Sequence, residues 1–523
     1  MNLIHVLLSS VLALAIAGAF VAQLVRWLRV LQREHYEPSS MSRFLGRWSS
    51  PQVASAKSPE HRSDKRPISL SQVLLVLLAV SVVLHLDVLA VLVSVAYGVF
   101  CPQGLSMKGR TSKLQWTRRL KLVAVVSTLL CLIIAVLGAF SARPWLLAIA
   151  MLWAVPVMLD LSSRVLAPYE NAQAQKFVKQ ASTRLHRISP RVVAITGSYG
   201  KTSTKNHLFD LLSGDGQVVA SPRSFNNRAG LSRAINENLS DGTRVFIAEM
   251  GTYGPGEIAD LCSWCAPEIA VISAIGPVHL ERMKSLDVIE GAKFEITQKA
   301  KTVIINTDDQ RLNNWPAKLS GKKVRTAGSA DLDASVRVSV EGPMWRIIID
   351  GVELMTLSPL SGVQPSNLAC AVACALELGS SPVQLKQRIS MVQSVANRAN
   401  VITAQSGVMV IDDTFNANPA SAQASLHVLA SLALNGRRVV VTPGMIELGD
   451  DQFKENATLA KKIADMNAEL VVVGRTNVRS LTAGFEKFPK RFDTRDQAVA
   501  WVREVLIAGD GVLYLNDLPD HYP

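Results

Sequence analysis

Apolar positions are spread unevenly along this chain. They form long, unpatterned runs before about residue 165 and short β-branched runs after residue 190. Leu3 to Val25 is predominantly apolar and ends at Arg26 and Arg29, a length that crosses a bilayer core of about 30 Å. No small-x-small cleavage site precedes polar sequence, so a membrane anchor is expected rather than a signal peptide. Leu70 to Phe100 is mostly apolar over 31 residues, which as one helix would measure about 46 Å. His85 and Asp87 lie at its midpoint, so the run reads as a hairpin of two short spans, 70–84 and 88–101. Two more spans follow at 120–140 and 145–161, on either side of a Ser141-Ala142-Arg143-Pro144 turn.

Five spans put the two ends of residues 1–165 on opposite sides of a membrane. Between Arg26 and Arg66 there are nine Lys/Arg against four acidic residues, and between Cys101 and Lys121 six Lys/Arg and none. With five crossings both basic loops share the side of everything after residue 165, and the positive-inside rule makes that side cytoplasmic and the N-terminus external. The same placement accounts for the net charge of +13 and the 49% hydrophobic content. The positive charge flanks apolar runs, so the partner it indicates is the lipid bilayer and not nucleic acid. His85 and Asp87, at the hairpin turn, are expected at the far interface rather than on a transport path.

Six cysteines in 523 residues make no disulfide framework. Cys262 and Cys265 have the spacing of a metal knuckle, but no second pair accompanies them, so buried thiols are expected.

After Pro190 short buried strands alternate with helices, the pattern of a parallel sheet. Arg191 to Ile195 reads as a strand running into Thr196-Gly-Ser-Tyr-Gly-Lys-Thr-Ser203 and then a helix through Leu212. Gly197 and Gly200 let the backbone turn around phosphate, whose charge the helix-start amides meet. Lys201 is placed for the β- and γ-phosphates, and Thr202 for Mg2+. Gly197, Ser198, Gly200, Lys201, Thr202 and Ser203 are therefore candidate ATP contacts. Two residues separate these glycines, where the general phosphate loop has four.

This loop resembles the ATP loop of the Mur ligases, and the likeness continues in order along the chain. Asn226-Asn227 with Gly230-Leu231, Phe246 to Gly251, His279-Leu280, Lys293-Phe-Glu-Ile296, Asp412 to Pro419 and Glu447-Leu-Gly449 each resemble a segment of that family. The Asp412–Pro419 run is closest to its D-alanyl-D-alanine-adding MurF type. The resemblance covers about residues 190–515. It implies an ATP-dependent acid–amine ligase acting through an acyl phosphate, in peptidoglycan or related cell-envelope peptide synthesis at the bacterial cytoplasmic membrane.

The resemblance implies a metal set of Thr202, Glu249, His279 and Lys293, the last as a carbamate that turns a cation into a metal-bridging anion. It implies nucleotide contacts from Asn367, Arg398 and Asp413, with Lys201, Lys293, Asp413 and Asn416 as catalytic residues. The expected fold is membrane helices (1–165), then a central phosphate-loop ATPase domain (166–391) and a Rossmann-like C-terminal domain (392–523). The implied partners are a muropeptide-like acid, soluble or lipid-linked, and an amino acid or dipeptide amine. Only about 30 residues, Ser162 to Pro190, separate the last span from the first strand, too few for the uridine-binding domain of the UDP-sugar-using members. The end of the chain, Leu515 to His521, also departs from the basic segment of the MurF type. Two other readings stay open: a ligase for a non-peptidoglycan polymer such as a poly-amino acid, and a non-catalytic ATP-switch membrane component.

Overall fold

The computed structural model describes residues 3–37, 40–49, 70–109, 114–140, 144–214, 216–222, 225–360, 362–393, 400–414, 417–485, 488–519 and 522. The N-terminal part is helical: α1 (Leu3–Arg33), α2 (Ser40–Ser49), α3 (Leu70–Val83), α4 (Asp87–Phe100), α5 (Arg118–Ala139) and α6 (Pro144–Ile188). The 70–100 run breaks between α3 and α4, where His85 takes a left-handed φ of 57°. Each arm has 14 residues, or about 21 Å of helix. Three helices, Ser9–Arg33, Arg118–Leu137 and Trp145–Ile188, are long and apolar enough to cross a membrane. Large apolar side chains such as Leu75, Val76, Leu92, Leu132 and Ile133 point outward from α3, α4 and α5.

The segment after residue 161 differs from the expected short connection. α6 runs unbroken for 45 residues, through Pro156 and Pro168, so the boundary expected at 165/166 falls inside one helix. Its last turns place Val178, Ala181 and Leu185 in the core of the following domain, which makes α6 a strut joining the two regions. Apolar periodicity reports where a helix is greasy; it does not report where a continuing helix trades lipid-like for protein neighbours.

Polar side chains tie the end of the bundle nearest the two sheet domains. Gln23 donates to the carbonyls of Tyr97 and Cys101 at 3.3 and 2.7 Å, and Arg26 to that of Gly98 at 2.8 Å, meeting carbonyl oxygens at the end of α4. Asp160 of α6 accepts from the Met41 and Ser42 amides and the Ser42 hydroxyl, a negative charge at the start of α2.

The middle domain is built on a nine-stranded sheet in the order β2-β3-β1-β4-β5-β6-β7-β8-β9. The strands are β1 (Arg191–Thr196), β2 (Gln217–Ala220), β3 (Thr243–Glu249), β4 (Ile269–Ile272), β5 (Thr302–Asn306), β6 (Lys323–Gly328), β7 (Val336–Glu341), β8 (Met344–Ile349) and β9 (Val352–Leu357). β1 to β6 are parallel, while β7–β8 and β8–β9 pair antiparallel. Apolar clusters cover both faces of the sheet, as continuous β-branched strands require.

The C-terminal domain has a six-stranded sheet in the order β10-β11-β15-β12-β13-β14. Its strands are β10 (Asn400–Thr403), β11 (Met409–Asp413), β12 (Arg438–Thr442), β13 (Glu469–Val473), β14 (Lys490–Phe492) and β15 (Gly511–Leu515). All are parallel except β10. Membrane-type helices followed by two α/β domains are thus what the hydropathy pattern and motifs predict. The chain end packs back on the N-terminal helices: Leu518 and Tyr522 join Trp27, Leu28, Leu31, Met41 and Phe44 in one cluster.

Candidate active site

In the middle sheet β1 lies between β3 and β4, so the chain leaves β1 and β3 in opposite directions and opens a crevice at their carboxyl ends. Gly197 to Gly200 fill this crevice and lead into the helix Lys201–Leu211. Gly200 has φ +82°, and a Cβ there would lie 2.4 Å from Asn367 Oδ1, so both backbone and space demand glycine. The same contact puts Asn367, at the start of helix Pro365–Glu377, against the loop. Ser198 is pinned by its hydroxyl, which donates to the Gly276 carbonyl (2.9 Å) and accepts from the Gly276 amide (2.8 Å). Lys201 Nζ folds over the loop and donates to the Gly197 carbonyl at 2.6 Å. Ser203 lies in the first turn of that helix.

Glu249, the last residue of β3, is 1% exposed and has three donors around its carboxylate. Thr202 Oγ1 lies 3.0 Å and Lys205 Nζ 3.1 Å from Oε2, and Asn226 Nδ2 3.1 Å from Oε1. Asn227 caps the helix Arg228–Asn238 by accepting from the Gly230 amide, which fixes the loop that carries Asn226. A hydroxyl and a carboxylate side by side at the mouth of a phosphate loop are the hard oxygen donors Mg2+ takes, so these residues fit that ion. Among the described residues no three His, Cys, Asp or Glu side chains converge. A metal here would rely on Thr202, Glu249 and the nucleotide phosphates rather than on a closed protein cage.

Lys293 ends the helix Leu286–Phe294 and is 3% exposed. No carboxylate pairs with it among the described residues. Burial first, and the charge of Lys201 second, push its ammonium well below the ordinary lysine range. The neutral amine, which this shift favours, is the form that adds CO2, so the direction fits the carbamate chemistry.

His279 sits elsewhere in the expected set: no described contact joins it to Glu249 or Thr202. Its Nδ1 meets the carboxylate of Glu447 from the C-terminal domain, and the Leu280 amide donates to the Glu447 carbonyl at 2.9 Å. The Tyr253 ring stands edge-on to the His279 ring, with centroids 4.6 Å apart, and Arg282 lies 4.5 Å over Tyr253. Arg282 in turn bonds Glu34 at 3.0 Å and Glu37 at 2.9 Å, just past the end of α1. Burial opposes the charge of Glu447, but the hydrogen bond and charge of His279, with Arg282 and Arg43, hold its carboxyl below the usual range. A small cavity lined by Glu34, Arg43, Phe44, Arg282, Glu447 and Tyr522 marks this three-way junction.

Asp413 ends β11, and its Oδ2 accepts from Ser425 at 2.6 Å. Arg398 and Asn416 lie outside the described residues. Asn418 caps the helix Pro419–Ser431 through the Ala420 and Ser421 amides. Cys262 and Cys265 are buried thiols, as expected; burial pushes Cys262 up to about 12 and Cys265 further.

Motif reading did not find Lys205, Tyr253, Arg282 or the partnership of Glu447. Lys205 had a faint signal, as a second lysine one helical turn after Lys201. Arg282 and Glu34 are 248 positions apart, and no local pattern links them.

The chain matches the model of the Mur ligase middle domain over residues 195–375 and that of the Mur ligase glutamate ligase domain over residues 397–515. It is 33% identical over 302 residues to the UDP-N-acetylmuramoyl-tripeptide–D-alanyl-D-alanine ligase of Mycobacterium tuberculosis, covering 54% of this chain and 58% of that protein. The enzyme of the same name from Synechocystis is 30% identical over 335 residues, 63% of this chain and 72% of the relative. Among solved structures, the MurF ligase of Thermotoga maritima in complex with ADP has a TM-score of 0.58 at 24% identity, covering 66% and 80% of the two chains. MurF from Acinetobacter baumannii gives 0.57 at 23%, covering 66% and 77%. The chain thus spans little more than half the length of the first of these curated relatives.

Proposed function

The chain belongs to the Mur ligase family, and on that premise we propose that it is an ATP-dependent carbon–nitrogen ligase of the MurF type, anchored in the bacterial cytoplasmic membrane. It would join the carboxylate of a muropeptide-like acid to the amine of an amino acid or dipeptide. One observation carries the reading. Thr202 and Glu249 stand together at the mouth of a loop ending in Lys201, and Lys293, buried and without a counter-charge among the described residues, lies close enough to feel Lys201.

An acid and an amine do not condense in water, so the carboxylate first takes the γ-phosphoryl group of ATP. That transfer needs positioning and charge neutralisation. The amides at the start of helix Lys201–Leu211 and the Lys201 ammonium would bind the phosphate oxygens. Thr202 and Glu249 would hold Mg2+, which supplies further neutralisation when bound. Lys205 and Asn226 keep Glu249 turned toward Thr202. Lys293 as a carbamate would add an anion, and Asn367 would border the nucleotide. Asp413 would face it from the C-terminal domain, whose docking would keep water from the acyl phosphate.

The membrane part of the proposal is supported by the outward apolar faces of α3 to α5 and by where the polar segments gather. Residues 34–37, 40–49, 101–109 and 114–119 and the two ligase domains meet at one end of the helix bundle. That arrangement agrees with an external N-terminus and cytoplasmic catalytic domains. α6 enters the middle domain directly, leaving no separate uridine domain, so we infer a lipid-linked acid presented at the membrane surface. Membranes carrying the chain, given ATP, candidate amines and either UDP-muropeptides or lipid-linked precursors, test this. Amine-dependent ADP release with the lipid-linked acid is expected. Equal turnover of the UDP-linked acid would restore a soluble substrate, and no release with either would overturn the ligase assignment.

A further inference from the structure

We propose that Lys205 makes cation binding at Glu249 conditional on nucleotide, because its ammonium already neutralises the carboxylate. The proposal rests on the reading of Thr202 and Glu249 as the Mg2+ donors at the mouth of the phosphate loop. Glu249 Oε2 accepts from Thr202 Oγ1 at 3.0 Å and from Lys205 Nζ at 3.1 Å, and Oε1 accepts from Asn226 Nδ2 at 3.1 Å. The Glu249 amide donates to Ser221 Oγ at 3.1 Å, so backbone and carboxylate are both fixed. The Lys205 and Glu249 side chains are buried together, where water screens their charges little.

A hydroxyl beside a carboxylate ordinarily draws a divalent cation. Here the charge of Glu249 is matched by Lys205, and Lys201, folded over the loop onto the Gly197 carbonyl, adds a second positive charge. Among the described residues no three His, Cys, Asp or Glu side chains converge to outweigh the two lysines. Without nucleotide the centre therefore favours anions over cations. Polyphosphate reverses that balance, since its oxygens bring several negative charges against Lys201 and the helix-start amides. A cation arriving with the phosphates then meets net attraction, and Glu249 can share its charge between the cation and Lys205. The consequence is an order of binding: the cation enters with the nucleotide and not before it. A lysine that only braced the fold would predict something different, because its removal would loosen Glu249 and weaken cation binding under every condition.

The test titrates Mn2+ into the full chain in detergent, with and without ADP, and follows it by electron paramagnetic resonance well below each variant's melting temperature. Wild type should bind Mn2+ at this centre only with ADP. Lys205→Met should gain nucleotide-free binding, at least about tenfold tighter than wild type, because the repulsion between ammonium and divalent ion is gone. Lys205→Arg, which keeps the charge, should show no gain. Should Lys205→Met not fold, Lys205→Gln carries the same expectation, since it keeps a donor to Oε2 and loses only the charge. Adding Glu249→Gln to the neutral variant should abolish the gain, which assigns it to this carboxylate. An unchanged or weaker nucleotide-free isotherm in the neutral variant overturns the proposal, as does equal Mn2+ binding by wild type with and without ADP. A gain that survives Glu249→Gln, or an equal gain in Lys205→Arg, overturns it as well. Glu249→Gln with undiminished Mn2+ binding in the presence of ADP instead overturns the donor reading beneath it.

Discussion

Replacing Lys205 with methionine should destabilise the nucleotide-binding domain far more than an ordinary lysine substitution. Its Nζ lies 3.1 Å from Glu249 Oε2, and the two side chains are 2% and 1% exposed. At an effective dielectric of 20 the attraction between them is about 5 kcal/mol, most of which offsets the cost of taking both charges out of water. Removing one partner forfeits the attraction but keeps the other's desolvation cost, about 3–5 kcal/mol. For a domain of this size each kcal/mol moves the melting point by about 2–4 °C, so Lys205→Met should melt roughly 6–20 °C lower. Glu249→Gln should cost a similar amount, because it takes the carboxylate charge away from the buried Lys205 ammonium. The double variant leaves a neutral amide that Thr202 and Asn226 can still engage, so most of the loss should return, with a coupling of about 2 kcal/mol or more. The assay is differential scanning fluorimetry of the detergent-solubilised chain for all four members of the cycle. A Lys205→Met variant within about 2 °C of wild type, or single effects that simply add in the double, would refute the reasoning.

Lys201→Ala should abolish amine-dependent ADP release while the protein stays in the membrane fraction; unchanged turnover sinks the phosphate-loop assignment. Lys293→Ala should be inactive, partly rescued by formate, and no less stable than wild type, since it removes a buried amine that no carboxylate pairs among the described residues; full activity without formate would defeat the carbamate reading. His207 on the phosphate-loop helix is buried, with both ring nitrogens unpartnered among the described residues, and burial pushes it from 6.5 down to about 4. As pH falls from 6.5 to about 4 the unfolded chain binds a proton there that the native chain refuses. About 3 kcal/mol of stability present above pH 6.5 should thus be lost across that window. His207→Leu should flatten this part of the acid-unfolding curve, and an unchanged curve would contradict it. Cutting the chain near Ala167 keeps Val178, Ala181 and Leu185 in the middle core but strips Leu518 and Tyr522 of their apolar partners. The fragment should bind ATP and ligate poorly, and full activity on a soluble UDP-linked acid would rule out a role for the helices in ligation.

The order of β1, β12 and β13, the phosphate loop and the break at His85 were legible because each has a local cause. Continuous β-branched runs make buried strands, Gly197 and Gly200 make the loop, and a polar pair interrupts an apolar run. The antiparallel β7–β9 extension was not read, since its alternating half-buried positions carry a weak signal beside the parallel core. α6 was cut short because hydropathy falls after residue 161 while helicity does not. For Glu249 the residue was legible from the motif order and its surroundings were not: Lys205 is one turn beyond the loop, and only folding aims it at β3. The junction of Glu34, Arg282, Tyr253, His279 and Glu447 draws on three distant parts of the chain, and its geometry exists only in the assembled protein.

That junction also limits how the C-terminal domain can move. Leu518 and Tyr522 are 8% and 9% exposed, packed against α1 and α2, and burying one such side chain is worth about 1.5–3 kcal/mol. Peeling both away would cost about 3–6 kcal/mol, which leaves an opened state populated at about 1% or far less. Opening for substrate entry must then either accept that small population or leave the tail behind as a tether. The second route needs a hinge between the tail and β15, and Asn516 lies there, with a left-handed φ of 65° and its side chain bonded to the Gly444 carbonyl at 2.7 Å. A tethered opening would release Glu447 from His279 while Leu518 and Tyr522 stay on the helices. The helical region would then act as a fixed post against which the catalytic cleft opens and closes, where a free two-domain hinge has none.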